Sequence, residues 1–219
     1  MILSKSLIIQ SINSLSGLTI KEIIEEKNFY KIVMCISCSS QINGVKTFLD
    51  YNILIELPYS YPKSLPTCYE YGERKIHSYH HINPDKAGSF CLGTEMELRY
   101  RLLPNYTINK YFELIVEYLT VYSYYQKYHT MPVVERSHGN KGILEGYQYL
   151  FKSENRGIVL KLLFALPVKN KNRNLPCPCG SSKKMKKCHY YELHKISKSR
   201  LLYNQAMSDL EILKDRRNL

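Results

Sequence analysis

The segment CPCGSSKKMKKCH, from Cys177 to His189, constrains how this chain folds more than any other stretch. A C-x-C pair, eight intervening residues and an adjacent Cys and His bring Cys177, Cys179, Cys188 and His189 into thirteen residues. Thiolates and imidazole are the ligands a tetrahedral Zn²⁺ takes, and four of them make a closed structural site with no open position for catalysis. Gly180 lets the chain turn sharply around an ion. So short a segment buries no core of its own, so a bound metal has to supply its folding free energy. The competing reading is four thiol and imidazole groups with no common task.

Charge separates this tail from the rest. The chain of 219 residues carries a formal +12. From Lys169 onward there are 13 Lys+Arg against 4 Asp+Glu, a net of +9, which leaves +3 for residues 1–168. A basic tail of this kind attracts nucleic acid or another acidic surface, or is simply solvated. The polar run VKNKNRNLP is the expected linker, giving a domain over 1–168 and a basic tail with a C-terminal helix over 169–219. Seven cysteines, an odd number, do not resemble a secreted disulfide framework. The N-terminal MILSKSLIIQSINSL lacks the apolar region and cleavage site of a signal peptide. The apolar IVLKLLFALPV is too short to span a bilayer and contains Lys161. A soluble, cytoplasmic protein with no membrane contact is expected.

The pattern along residues 1–168 predicts an α+β fold. Apolar residues at three- and four-residue spacings over 2–18 predict an opening amphipathic helix. FYKIVMCISC and VKTFLDYNILIELP read as strands joined by a QING turn, and TCYEYG as a further short strand, together an antiparallel meander. Between them, Pro58, Pro62 and Pro66 predict an extended, proline-stiffened crossing. Residues 83–103 are irregular. Ile108, Phe112, Ile115, Leu119, Tyr122 and Tyr125 then recur at helical spacing, and a later helical segment is expected to run into IVLKLLFAL and stop at Pro167.

Outside the tail, Cys35 and Cys38 stand at an odd offset within a strand, which points them to opposite faces and argues against pairing. Cys68 reads as core. Cys91 is different: it lies in HHINPDKAGSFCLG, a turn-rich stretch that also holds His80, His81 and Asn83. A thiolate nucleophile needs exposure and a donor for a developing oxyanion, and an Asn amide supplies the second. From these residues alone, packing and nucleophilic readings of Cys91 stay equally open. His138, flanked by glycine, is a further candidate with an equally good role in a turn.

Two resemblances add to this. At residues 174–191 the C-P-C-G-S start, the lysine run and the closing C-H resemble the SEC-C motif, a zinc-binding module of bacterial proteins. That resemblance implies a portable adaptor contacting a protein or nucleic acid. Over residues 1–165, the order of helix, meander, proline crossing, H-x-N, Cys and helices resembles the ubiquitin-conjugating enzyme fold. Tyr61, Pro62 and Pro66 match that family's Y-P-x-x-x-P crossing. His81 and Asn83 match the outer members of its H-P-N tripeptide, and Gly88, Cys91 and Leu92 match its cysteine segment. Ile82 replaces the family's proline and Gly93 its usual Asp, and no tryptophan follows. These departures resemble divergent bacterial relatives encoded in antiphage operons.

The second resemblance implies that Cys91 carries an activated protein C-terminus as a thioester. Asn83 would stabilise the oxyanion, and His81 would support that Asn or polarise the carbonyl. The implied partners are a ubiquitin-like protein or nucleotidyltransferase as the carried group, an adenylating enzyme as its source, and a lysine of an acceptor protein. Two other readings compete: a non-catalytic scaffold that binds partners through its zinc tail, and a cysteine hydrolase built on Cys91 and His81.

Overall fold

The computed structural model describes residues 3–73, 75–77, 79–83 and 88–215. Ile2, at the start of the expected helix, and the PDKA of the cysteine segment lie outside them. The chain forms two compact units, one of residues 1–92 and 102–135, the other of residues 93–101 and 136–219. The architecture is α+β: an N-terminal helix, a four-stranded antiparallel sheet and then helices.

In the first unit, α1 (Lys5–Asn13) is opened by the Ser4 hydroxyl, which accepts from the Leu7 amide at 3.3 Å. It buries Ile8 and Ile12 completely. The helix is shorter than the expected 2–18: it is capped at Ser14, and Gly17 follows at φ +78° before the chain enters the sheet. Leu18 then opens a strand the apolar spacing had concealed, β1 (Leu18–Glu25). A bulge between Ile20 and Glu22 breaks the strict alternation that marks a strand in sequence.

β2 (Phe29–Ile42) and β3 (Val45–Pro58) form a long hairpin in register from Phe29↔Pro58 to Ile42↔Val45. Its two turn residues, Asn43 and Gly44, both have positive φ, as a type I′ turn requires. β4 (Thr67–Glu70) completes the sheet in the order β1-β2-β3-β4. Within β2, Tyr30, Ile32, Met34 and Ile36 face inward and Cys35 does not share their face. The opposing layer is α3 (Ile108–Tyr128), whose Phe112, Ile115, Leu119 and Tyr122 are buried as their spacing predicts.

The proline crossing is folded into turns rather than extended. The carbonyls of Pro58 and Ser60 accept from Tyr61 and Lys63 at 3.0 and 2.8 Å, because prolines limit donors and leave acceptors intact. Beyond it, a two-stranded ribbon pairs β5 (Ile82–Asn83) with β6 (Ser89–Phe90).

The second unit is helical: α2 (Glu95–Leu102), α4 (Gly139–Phe151), α5 (Arg156–Phe164), α6 (Tyr190–Lys198) and α7 (Arg200–Lys214). The helix expected to continue into IVLKLLFAL is broken. Lys152 takes a left-handed conformation and caps α4, and the Asn155 side chain accepts from the Ile158 amide to start α5. The expected linker is a short 3-10 turn over Asn170–Asn174. Before it, Val168 is buried and its amide donates to Ser197 Oγ at 2.8 Å. α7 packs on α4, α5 and α6, burying Leu202, Ala206, Leu210 and Leu213. Among the described residues no helix is long and apolar enough to cross a membrane.

Candidate functional site: a thiol corner and a four-ligand cluster

The β5–β6 ribbon gathers the cysteine-segment residues of the first unit. Register places Ile82 opposite Phe90 and Asn83 opposite Ser89, and the Cys91 amide donates to the His81 carbonyl at 2.8 Å. Cys91 and His81 are therefore backbone neighbours across the ribbon, and a His81 ring nitrogen lies within 4.8 Å of the Cys91 sulfur. Phe90 is buried and stacks on Tyr118 with centroids 4.6 Å apart, while Cys91 is half-buried. An anchored apolar residue thus fixes the backbone beside a partly accessible thiol.

Asn83 holds this geometry. Its Nδ2 donates to Ser89 Oγ at 3.2 Å and to the Phe90 carbonyl at 3.3 Å, tying it to the residue preceding Cys91. Gly88, at φ +81°, closes the ribbon with its amide on the Asn83 carbonyl at 3.1 Å. Asn83 and His81, singled out from sequence, are therefore brought to Cys91. His138 precedes α4 in the second unit.

Sequence spacing did not point to the groups that surround this corner. The Tyr118 hydroxyl donates to the His81 carbonyl at 3.0 Å. Tyr79 is buried with its ring 5.2 and 5.4 Å from those of His80 and His81. Burial, followed by nearby acidic groups, raises the Tyr79 phenol well above its ordinary range, and burial does the same to Tyr118. Both stay protonated at neutral pH. Glu135 reaches His80 Nε2 through Oε1, and the same oxygen lies 3.5 Å from His81 Nε2. Glu135 is more than fifty residues from either histidine, so no local pattern announces it.

In the second unit the four tail ligands converge. His189 Nδ1 lies 3.3 Å from Cys177 Sγ and 3.2 Å from Cys188 Sγ, and the Cys179 and Cys188 sulfurs are 3.5 Å apart. All four ligand atoms fall within 4.8 Å of one another. The backbone builds the turn: the Gly180 amide donates to the Cys177 carbonyl at 3.1 Å, and the Cys177 amide to the Lys183 carbonyl at 2.8 Å. Met185, within the same segment, is buried.

His189 Nε2 is 2.9 Å from the Phe151 carbonyl. A carbonyl only accepts, so Nε2 carries the proton and Nδ1 is left as a lone-pair ligand facing the sulfurs. Burial raises the Cys177 thiol. Burial also acts to raise Cys179, but hydrogen bonds from Ser181 and the neighbouring cysteines prevail and lower it to about 6. A cluster with thiolate character and one fixed imidazole can hold a metal ion.

Comparison with protein families matches residues 173–190 to the SEC-C motif. No curated protein and no solved structure matches the chain. What this chain carries at its C-terminal end is a SEC-C motif whose three cysteines and one histidine form a cluster suited to a metal ion.

Proposed function

We propose that this chain is a cysteine-dependent acyltransferase of the ubiquitin-conjugating type, with a zinc-binding tail, acting in bacterial antiphage defence. The observation that carries the reading is the Cys91 corner: a half-buried thiol beside a His81 ring nitrogen, with an Asn83 amide pointed at the carbonyl just before it. The helix, the antiparallel meander and the Y-P-x-x-x-P turn before the ribbon are consistent with that family's fold.

In this mechanism the Cys91 thiolate attacks the activated C-terminal carbonyl of a carried protein and displaces the activating group, forming a thioester. A lysine amine of the acceptor then attacks that carbonyl. The tetrahedral oxyanion is stabilised by the Asn83 amide, a contribution of about 10²–10³ in rate for such donors. Its collapse expels the Cys91 thiolate and leaves an amide once the amine has given up its proton to solvent, and His81 supports Asn83 or polarises the carbonyl. The carried group is a ubiquitin-like protein or a nucleotidyltransferase C-terminus, delivered by an adenylating enzyme. The basic tail adds a contact to a protein or nucleic acid.

Zinc is the ion that best suits the tail. Tetrahedral bonds of about 2.3 Å to sulfur and 2.0 Å to nitrogen put sulfurs ~3.8 Å apart and nitrogen ~3.5 Å from sulfur. The Cys177–His189, Cys188–His189 and Cys179–Cys188 distances of 3.3, 3.2 and 3.5 Å need only a slight expansion, and all four ligand atoms lie within 4.8 Å of one another.

The test is co-production with the proteins encoded beside it. Wild type should form an adduct on Cys91 that thiol reductants release, and Cys91→Ser the same adduct as a reductant-stable ester. An adduct missing from both, or mapped to another cysteine, overturns the reading. The hydrolase reading is favoured by one observation, the Glu135 carboxylate 3.5 Å from His81 Nε2, which resembles the orienting third group of a nucleophile–base pair. Loaded protein offered free lysine separates the two: transfer yields an amide, hydrolysis a free carboxylate.

A further inference from the structure

Away from the tail, His80, His81 and Glu135 of the first unit direct metal-ligating atoms at one point. Nε2 of both imidazoles faces the same oxygen of Glu135, and the three ligand atoms lie within 4.8 Å of one another. We propose that these residues form a second metal site, a three-ligand site for a borderline divalent cation such as Zn²⁺, beside the Cys91 thiol. This goes beyond the acyl-transfer reading and does not depend on it.

The chemistry of the donors and their rigidity carry the proposal. Two imidazoles and one carboxylate form an open set that leaves a coordination position for water or an incoming group, unlike the closed tail cluster. Surface histidines usually sample several rotamers, and ordering them opposes binding. Here the ordering is built into the fold. The His80 and His81 rings lie 4.4 Å apart against buried Tyr79, and Tyr125 lies 5.7 Å from His80 and 5.5 Å from Tyr79. The His81 carbonyl is held by two donors, the Tyr118 hydroxyl and the Cys91 amide. The side chain of His81 is 15% exposed, whereas those of His80 and Glu135 are 45% and 46% exposed, so an ion has a route in. A carboxylate already drawn to both imidazoles supplies the negative charge that a dication favours.

The experiment is equilibrium dialysis of the full-length chain against Zn²⁺, with metal content per chain measured by atomic emission. Wild type should hold two equivalents, one in the tail and one here. His80→Ala and Glu135→Gln should each retain the tail equivalent and weaken the second by at least about 10–100-fold, since even an outer partner of a ligand is worth that much. In wild type, the His80 and His81 ring resonances should shift on adding the second equivalent. The proposal is overturned if wild type holds one equivalent, if both variants keep two with wild-type affinity, or if those resonances do not respond. Any of these results would mean that Glu135 and the histidines form an ion pair and nothing more.

Discussion

The His189 ring joins two elements with its two nitrogens: Nε2 meets the Phe151 carbonyl at 2.9 Å while Nδ1 faces the Cys177 and Cys188 sulfurs. Phe151 is the last residue of α4, so its carbonyl is among those a helix leaves unsatisfied. The cluster and a helix end thus complete one another, which makes the tail a structural part of its unit.

Metal removal should therefore be felt beyond the cluster. Binding at structural zinc sites contributes an apparent ~10–16 kcal/mol in small zinc domains. Chelation is expected to raise hydrogen exchange across Cys177–His189 and at the C-terminal turn of α4, and to lower the melting temperature. Exchange confined to the cluster would contradict this coupling.

Tyr147 and Asp209 form a buried pair, with the hydroxyl donating to Oδ2 at 2.8 Å and Gln205 donating to Oδ1 at 2.9 Å. Burial raises the Asp209 carboxyl above its ordinary value, while the Gln205 and Tyr147 bonds pull it down. A raised carboxyl contributes stability at acid pH that is lost as pH climbs through its folded pKa. Tyr147→Phe removes a bond to the charged form, so its cost, about 1–3 kcal/mol, should be largest at neutral pH and shrink once Asp209 is protonated. Denaturant unfolding of both proteins at neutral and acid pH measures the difference.

Asn83→Ala separates structure from chemistry at the thiol corner. Losing its two ribbon hydrogen bonds should destabilise by about 1 kcal/mol. If Asn83 also stabilises an oxyanion, discharge of a Cys91 thioester to an amine should slow by about 10²–10³. Single-turnover discharge beside a thermal melt reads the two effects separately, and an unchanged discharge rate leaves Asn83 as a ribbon staple.

Gly17→Ala should be among the most damaging single substitutions in the first unit. A Cβ there would sit 2.5 Å from that of Cys38 and 2.6 Å from the Ser37 carbonyl, at a φ of +78°. The backbone conformation alone costs more than about 1 kcal/mol, and the Ser37 amide bond to the Gly17 carbonyl, 2.7 Å, blocks relief by movement. A loss well above that value in denaturant unfolding is expected.

The sequence by itself determined what lies close along the chain. The tail ligands sit within thirteen residues, the β2–β3 hairpin follows from Asn43-Gly44 between β-rich runs, and α3 follows from a single apolar stripe. Each is legible because a turn or period of a few residues fixes it. The proximity of Asn83 and His81 to Cys91 also follows from closeness along the chain, since Cys91 stands only eight residues after Asn83. β1 was hidden because its bulge broke the alternation, and the α4–α5 break because Lys152 takes a left-handed turn that its identity does not announce.

Tertiary structure alone decided the rest. It brought Glu135 to His80 and His81, Tyr118 to the His81 carbonyl, and Phe151 to His189. These pairs are separated by tens of residues, and no local propensity encodes them. They arise when burying apolar faces, α3 on the sheet and α7 on α4 and α5, fixes which polar side chains end up as neighbours.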